Sequence, residues 1–269
     1  GQLDITLLER SINVLIRRHE ILRTNIVTVD GEGYQIVQEF RPIALSVIDI
    51  PKMNSVTEDL LNTMARDKAL APFNLAHDPL FRVEIIRCSD TDHVLMLTIH
   101  HLAFDAWSEE LITSELASLY AAFASGTPPL LPELPIQYAD FAMWQREWMT
   151  SEDFEIQRTY WEQQLRDAPA LLTLPLDHPR AAKQTFRGST ETVLLSEPLT
   201  QRIHLLCRQH QVTPYMLMLA AFGVVLARYS GQDDVCIGTS IANRSRPETE
   251  QLVGFLVNTL VLRIRLAEN

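Results

Sequence analysis

The sequence is short of positive charge: 23 Lys and Arg stand against 34 Asp and Glu, a formal net charge of -11 over 269 residues. A phosphate-backbone partner needs clustered cations, and the densest basic group, Arg17, Arg18 and Arg23, falls well short of a basic stripe, which excludes nucleic-acid binding. Only three cysteines occur, Cys88, Cys207 and Cys236, each in or beside an apolar run and without metal-type spacing. They are expected to be buried free thiols in a reducing, cytoplasmic setting. No apolar run reaches the roughly 20 residues that span a bilayer. The longest, Tyr215 to Ala227, ends at Arg228 and predicts a core helix, so no membrane is expected. Neither an initiator Met nor a basic-then-apolar leader opens the chain at Gly1, and the chain is expected to be cut from something longer. Phosphate loops and a G-x-S-x-G serine are missing too, since Gly31 and Gly33 fall in a turn between strands. What remains, at 46% hydrophobic and 21% charged, is an ordinary folded chain with room for a sizeable core.

The apolar periodicity places elements along it. Leu8, Ile12, Leu15 and Ile16 recur at helical spacing up to Arg18, and the β-rich runs Leu22–Val29 and Tyr34–Phe40 flank Asp30-Gly31-Glu32-Gly33 as a hairpin. A helix is expected from about Val56 to Leu70, because Ser55 and Glu58 have capping-box spacing. Leu80–Arg87 and His93–His100 form a second hairpin whose second strand, apolar on both faces, predicts the middle of a covered sheet. A long helical segment is expected from Tyr138 to about Asp167, then a proline-bearing linker at Leu174–Arg180. Beyond it come a strand at Thr190–Leu195, a helix at about Leu199–His210, and a helix opened by Thr213-Pro214 and closed by Gly231. Strands at Val235–Ile241 and Val257–Leu266 complete the pattern, an α/β chain of two layers.

The chemistry gathers after the second hairpin, at His100-His101-Leu102-Ala103-Phe104-Asp105-Ala106-Trp107-Ser108, where a buried strand leads through a tight loop into a helix. Ser108 is a good N-cap, and Trp107 is placed to staple against Ile112. Neighbouring strand residues point to opposite faces, so His100 and His101 do not share one ion and no metal is expected. That leaves a general base: His101 can fix one tautomer through a backbone bond and offer its other nitrogen to a substrate proton, with Asp105 holding the loop. Two satisfied core histidines are the alternative.

Four segments in order, Arg18-His19-Glu20-Ile21-Leu22-Arg23-Thr24, the His100–Ser108 stretch, Tyr138-Ala139-Asp140-Phe141-Ala142-Met143-Trp144 and Val253-Gly254-Phe255-Leu256-Val257-Asn258-Thr259, resemble the core motifs of nonribosomal peptide synthetase condensation domains. Tyr229–Asp234 and Gly238–Arg244 resemble the family as well, so the likeness runs over essentially the whole chain. The resemblance implies a chloramphenicol-acetyltransferase-like lobe over residues 1–177, slightly clipped at its start, and a truncated second lobe of the same type over 178–269. It implies an acyltransferase in which the amine of an acceptor aminoacyl thioester attacks a donor acyl or peptidyl thioester. Both substrates would ride on the phosphopantetheine arms of upstream and downstream peptidyl carrier proteins, with an adenylation domain in the same polypeptide. The domain itself is expected to bind no cofactor, and the fragment alone to be inactive. Double aspartates in place of the histidines would mark a heterocyclisation domain, and neither is present.

Carried over position by position, the family's second histidine is His101, base or positioning group for the amine. Its aspartate is Asp105, a structural residue paired with an arginine, for which Arg23 is the candidate. Ala106 stands where the family has glycine: the N–H near the developing oxyanion is kept, and an added methyl narrows the tunnel or restricts the loop. His100 and Trp107 fall into supporting places, and Asn258 and Thr259 are candidates for the substrate tunnel. A non-catalytic condensation-like module that docks carrier proteins or recruits an enzyme is the other function the departure at Ala106 admits.

Overall fold

The computed structural model describes residues 1–50, 58–179, 182–183 and 188–266. Ser55 and Val56, expected to open the second helix, and Arg180, at the end of the expected linker, lie outside them. The chain forms two compact units, residues 1–151 with 242–258, and residues 152–241 with 259–269. Two sets of bonds account for these bounds. Residues 242–258 are tied to Asp105 in the first unit. Helix Glu152–Gln164 belongs with the second, where the Arg263 guanidinium takes the carbonyls of Gln164, Arg166 and Asp167 that end it.

The first unit is built on helix α1 (Ile5–Arg18), whose N-terminus is capped by the Asp4 side chain accepting the Leu7 N–H at 3.0 Å. Its stripe of Leu8, Ile12, Leu15 and Ile16 is buried. Strands β1 (Thr24–Val29) and β2 (Glu32–Val37) pair antiparallel in the expected hairpin. Asp30 and Gly31, the two residues between Val29 and its partner Glu32, have φ of 52° and 84°, the left-handed pair that a tight two-residue turn requires. Next come β3 (Ser46–Asp49), α2 (Glu58–Leu70), β4 (Phe81–Arg87) and β5 (His93–Ile99). The sheet order is β3-β4-β5, with β3 parallel and β5 antiparallel to β4.

β4, not β5, is therefore the middle strand, and every residue of β5 is only half-buried. Its apolar side chains on both faces have separate duties: Leu95, Leu97 and Ile99 pack on the α1 core, while Met96 and Thr98 stand opposite Glu84 and Arg82 on the other face. α3 (Ala106–Ala124) crosses α1 and buries Ile112, Leu116 and Leu119 in the same core. The long helix expected from Tyr138 is two helices, α4 (Tyr138–Trp148) and α5 (Glu152–Gln164). Thr150 and Ser151 divide them, turning back onto the carbonyls of Glu147 and Trp148 in place of helical bonds.

Between α1 and α3 lies a buried charge cluster. Glu115 accepts from Arg18 at 3.1 Å and from His19, which is 1% exposed, at 2.8 Å. Burial alone raises the Glu115 carboxyl, but the hydrogen bond and charge of His19, joined by Arg18, outweigh it and hold the group below the usual carboxylate range. A carboxyl depressed in the folded state stabilises above its unfolded pKa and loses that contribution as pH falls through the folded value. Glu115→Gln is therefore expected to cost about 1–3 kcal/mol at pH 7, with the gap to wild type closing from about pH 5 downward. Thermal unfolding across that range checks it; a gap constant with pH would count against the charge.

The second unit holds α5, α6 (Glu197–His210), α7 (Pro214–Ser230) and a two-stranded sheet of β6 (Asp234–Ile241) and β7 (Asn258–Arg265). Thr213 caps α7 by accepting the Met216 N–H, and Gly231 at φ 70° closes it, as the sequence predicts. The residues expected to be a strand at Thr190–Leu195 are exposed coil, with Leu194 at 90%, because no strand among the described residues lies beside them to take their backbone groups. The expected core helix α7 buries only Gly223 and Ala227 and exposes Tyr215, Met216, Phe222 and Tyr229: its apolar surface exceeds what a two-stranded sheet covers. No single helix among the described residues is long and apolar enough to cross a membrane. Of the three thiols only Cys207 is buried.

Candidate active site

β5 ends at Ile99, and the chain turns through one helical turn at His101–Ala103 before α3 begins at Ala106. His100 looks back: its Nδ1 accepts the Leu102 N–H at 3.1 Å and its ring meets Phe73 edge-on. His101 is exposed, and its Nδ1 lies 2.5 Å from the Phe104 carbonyl oxygen. A carbonyl only accepts, so Nδ1 is the donor, and in the neutral ring Nε2 is then the lone-pair nitrogen. The Phe255 ring stands perpendicular to the imidazole at 4.9 Å. A groove of ≈ 650 Å³ runs along β5 past Ala65, Ala69 and Phe73 and ends at these two histidines.

Helix α3 is capped by Asp105, whose Oδ1 accepts both the Ser108 N–H at 2.9 Å and the Ser108 hydroxyl at 2.8 Å. Ser108, the N-cap expected from sequence, is instead fully buried one turn later, where its oxygen takes donors from Arg244 and the Gly254 N–H. Asp105 is the better cap here because the same carboxylate also has a cation to meet. Arg244 grips it with both terminal nitrogens, at 2.9 and 3.1 Å, with 1% and 2% of the two side chains exposed. Oδ2 further accepts the N–H groups of Leu256 and Val257 at 3.1 and 3.3 Å. Burial raises the Asp105 carboxyl, yet Arg244 and Ser108 outweigh it and hold it below the usual range, so it stays a carboxylate.

The arginine expected here, Arg23, is elsewhere: its guanidinium binds Glu20 at 3.0 Å and the Gln38 carbonyl. It lines a separate cavity of ≈ 450 Å³ with Ile16, Arg41 and Phe81 that shares no lining residue with the groove at His101. Arg23 lies one residue before β1, and Gln38 follows β2, so the hairpin claims it. Trp107 does not staple onto Ile112; it is 44% exposed and donates its indole N–H to the Glu250 carbonyl at 2.9 Å.

The segment around Gly254 closes the knot. Tyr138, at the start of α4, donates its hydroxyl to the Phe255 carbonyl at 2.9 Å, and burial together with the Asp105 charge pushes its phenol pKa up, which keeps it a donor. Its ring lies so close over Gly254 that a Cβ there would overlap Tyr138 Cδ2. Phe141 packs with Leu252 and Leu256 below. Asn258 and Thr259 follow Val257 directly as the first residues of β7. Among the described residues no three His, Cys, Asp or Glu side chains gather as a metal site.

A condensation-domain family model matches residues 1–269. The chain belongs to the condensation-domain family. It is 41% identical over 266 residues to a linear gramicidin synthase of Brevibacillus parabrevis, a match that covers 98% of this chain and 3% of that protein. Among solved structures, the X-domain from teicoplanin biosynthesis superposes with a TM-score of 0.89 at 26% identity, covering 99% of this chain and 59% of that one. The same X-domain in complex with OxyB gives 0.87, again at 26% identity and with 59% of it covered. The chain thus spans a small part of its curated relative and under two thirds of its structural neighbours. The α/β, chloramphenicol-acetyltransferase-like fold expected from sequence is the fold of the family.

Proposed function

We propose that this condensation domain forms an amide bond between two carrier-bound thioesters, with His101 as the group that meets the acceptor amine. The observation that carries this is the tautomer: Phe104 holds the Nδ1 proton and leaves Nε2 to accept, at the end of a groove and beside the start of a helix. As the amine attacks the donor carbonyl, a C–N bond forms and the nitrogen sheds a proton to Nε2. The oxygen becomes anionic, and the first N–H groups of α3, at Ala106 and Trp107, sit at the positive end of that helix where such charge is favoured. Collapse breaks the C–S bond, and the imidazolium returns its proton to the departing phosphopantetheine thiolate.

Asp105 and Arg244 are buried and bound to each other, away from substrate, and their part is to hold the loop. Asn258 and Thr259, directly after the Asp105-bound segment, are proposed to line the substrate path. The phosphopantetheine arms arrive on an upstream and a downstream carrier protein, and an adenylation domain of the same polypeptide would load the acceptor.

A second reading, a recruiting module without catalysis, draws on the likeness to an X-domain whose complex with OxyB has been solved, and on Ala106 in the motif-glycine place. Incubating the complete polypeptide with two preloaded carrier proteins separates the two. Amide-linked product on the acceptor carrier supports condensation; tight carrier binding without product supports recruitment.

A further inference from the structure

An exposed imidazole on a loop has two freedoms that a proton acceptor cannot afford: exchange of the N–H between its nitrogens, and rotation about the bond to Cβ. The Phe104 carbonyl removes the first for His101, but one hydrogen bond is a hinge and leaves much of the second. Phe255 meets the imidazole from the side, ring against ring at 89° and 4.9 Å, where it is placed to limit that rotation.

Its own setting is fixed from the backbone. The Gly254 N–H is bound by Ser108, the Phe255 carbonyl by Tyr138, and the Leu256 and Val257 N–H groups by Asp105. The Phe255 side chain belongs to neither buried core cluster and is not needed to hold the segment. Asp105, which follows Phe104 in the chain and binds the Phe255 segment, thus anchors both restraints on His101.

We propose that Phe255 is a positioning residue for His101, the second wall of a seat that aims Nε2 at the amine. This rests on the reading of His101 as the group that meets the amine. Ring contact, and not bulk alone, is what the perpendicular geometry uses, so Phe255→Tyr keeps the function and Phe255→Ala loses it.

The test uses the complete polypeptide with preloaded carriers, and reads single-turnover rates beside deuterium exchange at the Cε1–H of each histidine by mass spectrometry. Phe255→Ala is expected to lower kcat about ten- to a hundredfold, with KM for both carriers held, and to speed exchange at His101 severalfold while His19 and His100 keep their rates. Phe255→Tyr is expected to restore both readings. Unchanged exchange at His101 in Phe255→Ala overturns the proposal, as does an equal rise at His19 and His100, which would report general loosening. Should a His101→Ala enzyme prove fully active, the reading of His101 fails, yet exchange at His101 still decides whether Phe255 restrains the ring.

Discussion

Replacing Arg244 by Met is expected to cost about 3–5 kcal/mol at pH 7, because it leaves the Asp105 carboxylate buried without its cation. Both side chains are 1–2% exposed, so water cannot take the guanidinium's place. The loss is sharper than for a surface pair, which is worth about 0–1 kcal/mol. It is also local: Asp105 holds the N–H groups of Ser108, Leu256 and Val257, and amide exchange at those three positions is expected to accelerate before the α1–α3 core is touched. Acid costs the wild type more than the variant. In the wild type Asp105 is depressed, so its contribution is present above the unfolded pKa and fades as pH falls through the folded one. In Arg244→Met the carboxyl keeps its Ser108, Leu256 and Val257 donors but loses the cation that also lowers it, so its folded pKa rises towards the unfolded one and acid costs the variant less. The gap between the two proteins therefore narrows on acidification. Replacing both partners, Asp105→Leu with Arg244→Met, is expected to recover part of the loss, since removing a buried pair costs less than breaking it. A single variant within about 1 kcal/mol of wild type at pH 7 would show that the pair is not what binds residues 252–257 to the helix.

Why Arg244 escaped the sequence is instructive. Elements set by near neighbours were legible: the α1 stripe from Leu8 to Ile16, the Asp30-Gly31 turn, and the Thr213 cap and Gly231 stop of α7. Each depends on residues within about one or two helical turns. The Asp105–Arg244 pair joins positions 139 apart, and no local rule ranks Arg244 above Arg23. One signal was available: Asp105-Ala106-Trp107-Ser108 places an aspartate three residues before a serine, and aspartate caps as well as serine does. Taken as the cap, Asp105 becomes buried at a helix start, and a buried carboxylate demands a cation. Arg244 also closes the Gly238–Arg244 stretch that resembles the family. The failures at Thr190–Leu195 and α7 have the same root. Alternation and apolar content describe what a segment can bury, while burial needs a second surface that no single segment contains.

His101→Ala is expected to lower the single-turnover rate of amide formation about 10²- to 10⁴-fold, the usual contribution of a positioned acid or base, with carrier KM unchanged. Truncation alone does not say whether the imidazole takes a proton or only holds the amine, and the geometry supplies variants that do. Asparagine puts an amide N–H near the place of Nδ1, where the Phe104 carbonyl can accept it, and nothing in the place of Nε2. Glutamine reaches towards the Nε2 place with an amide oxygen that can accept a hydrogen bond from the amine but does not take up its proton at neutral pH. If proton transfer is the task, Ala, Asn and Gln all fall together. If orientation is the task, Gln retains much of the rate and Asn does not. If His101 serves only to brace the Phe104 turn, Asn retains the rate. Full activity in all three removes His101 from the reaction, while the Asp105–Arg244 knot that shapes its loop stands on its own hydrogen bonds.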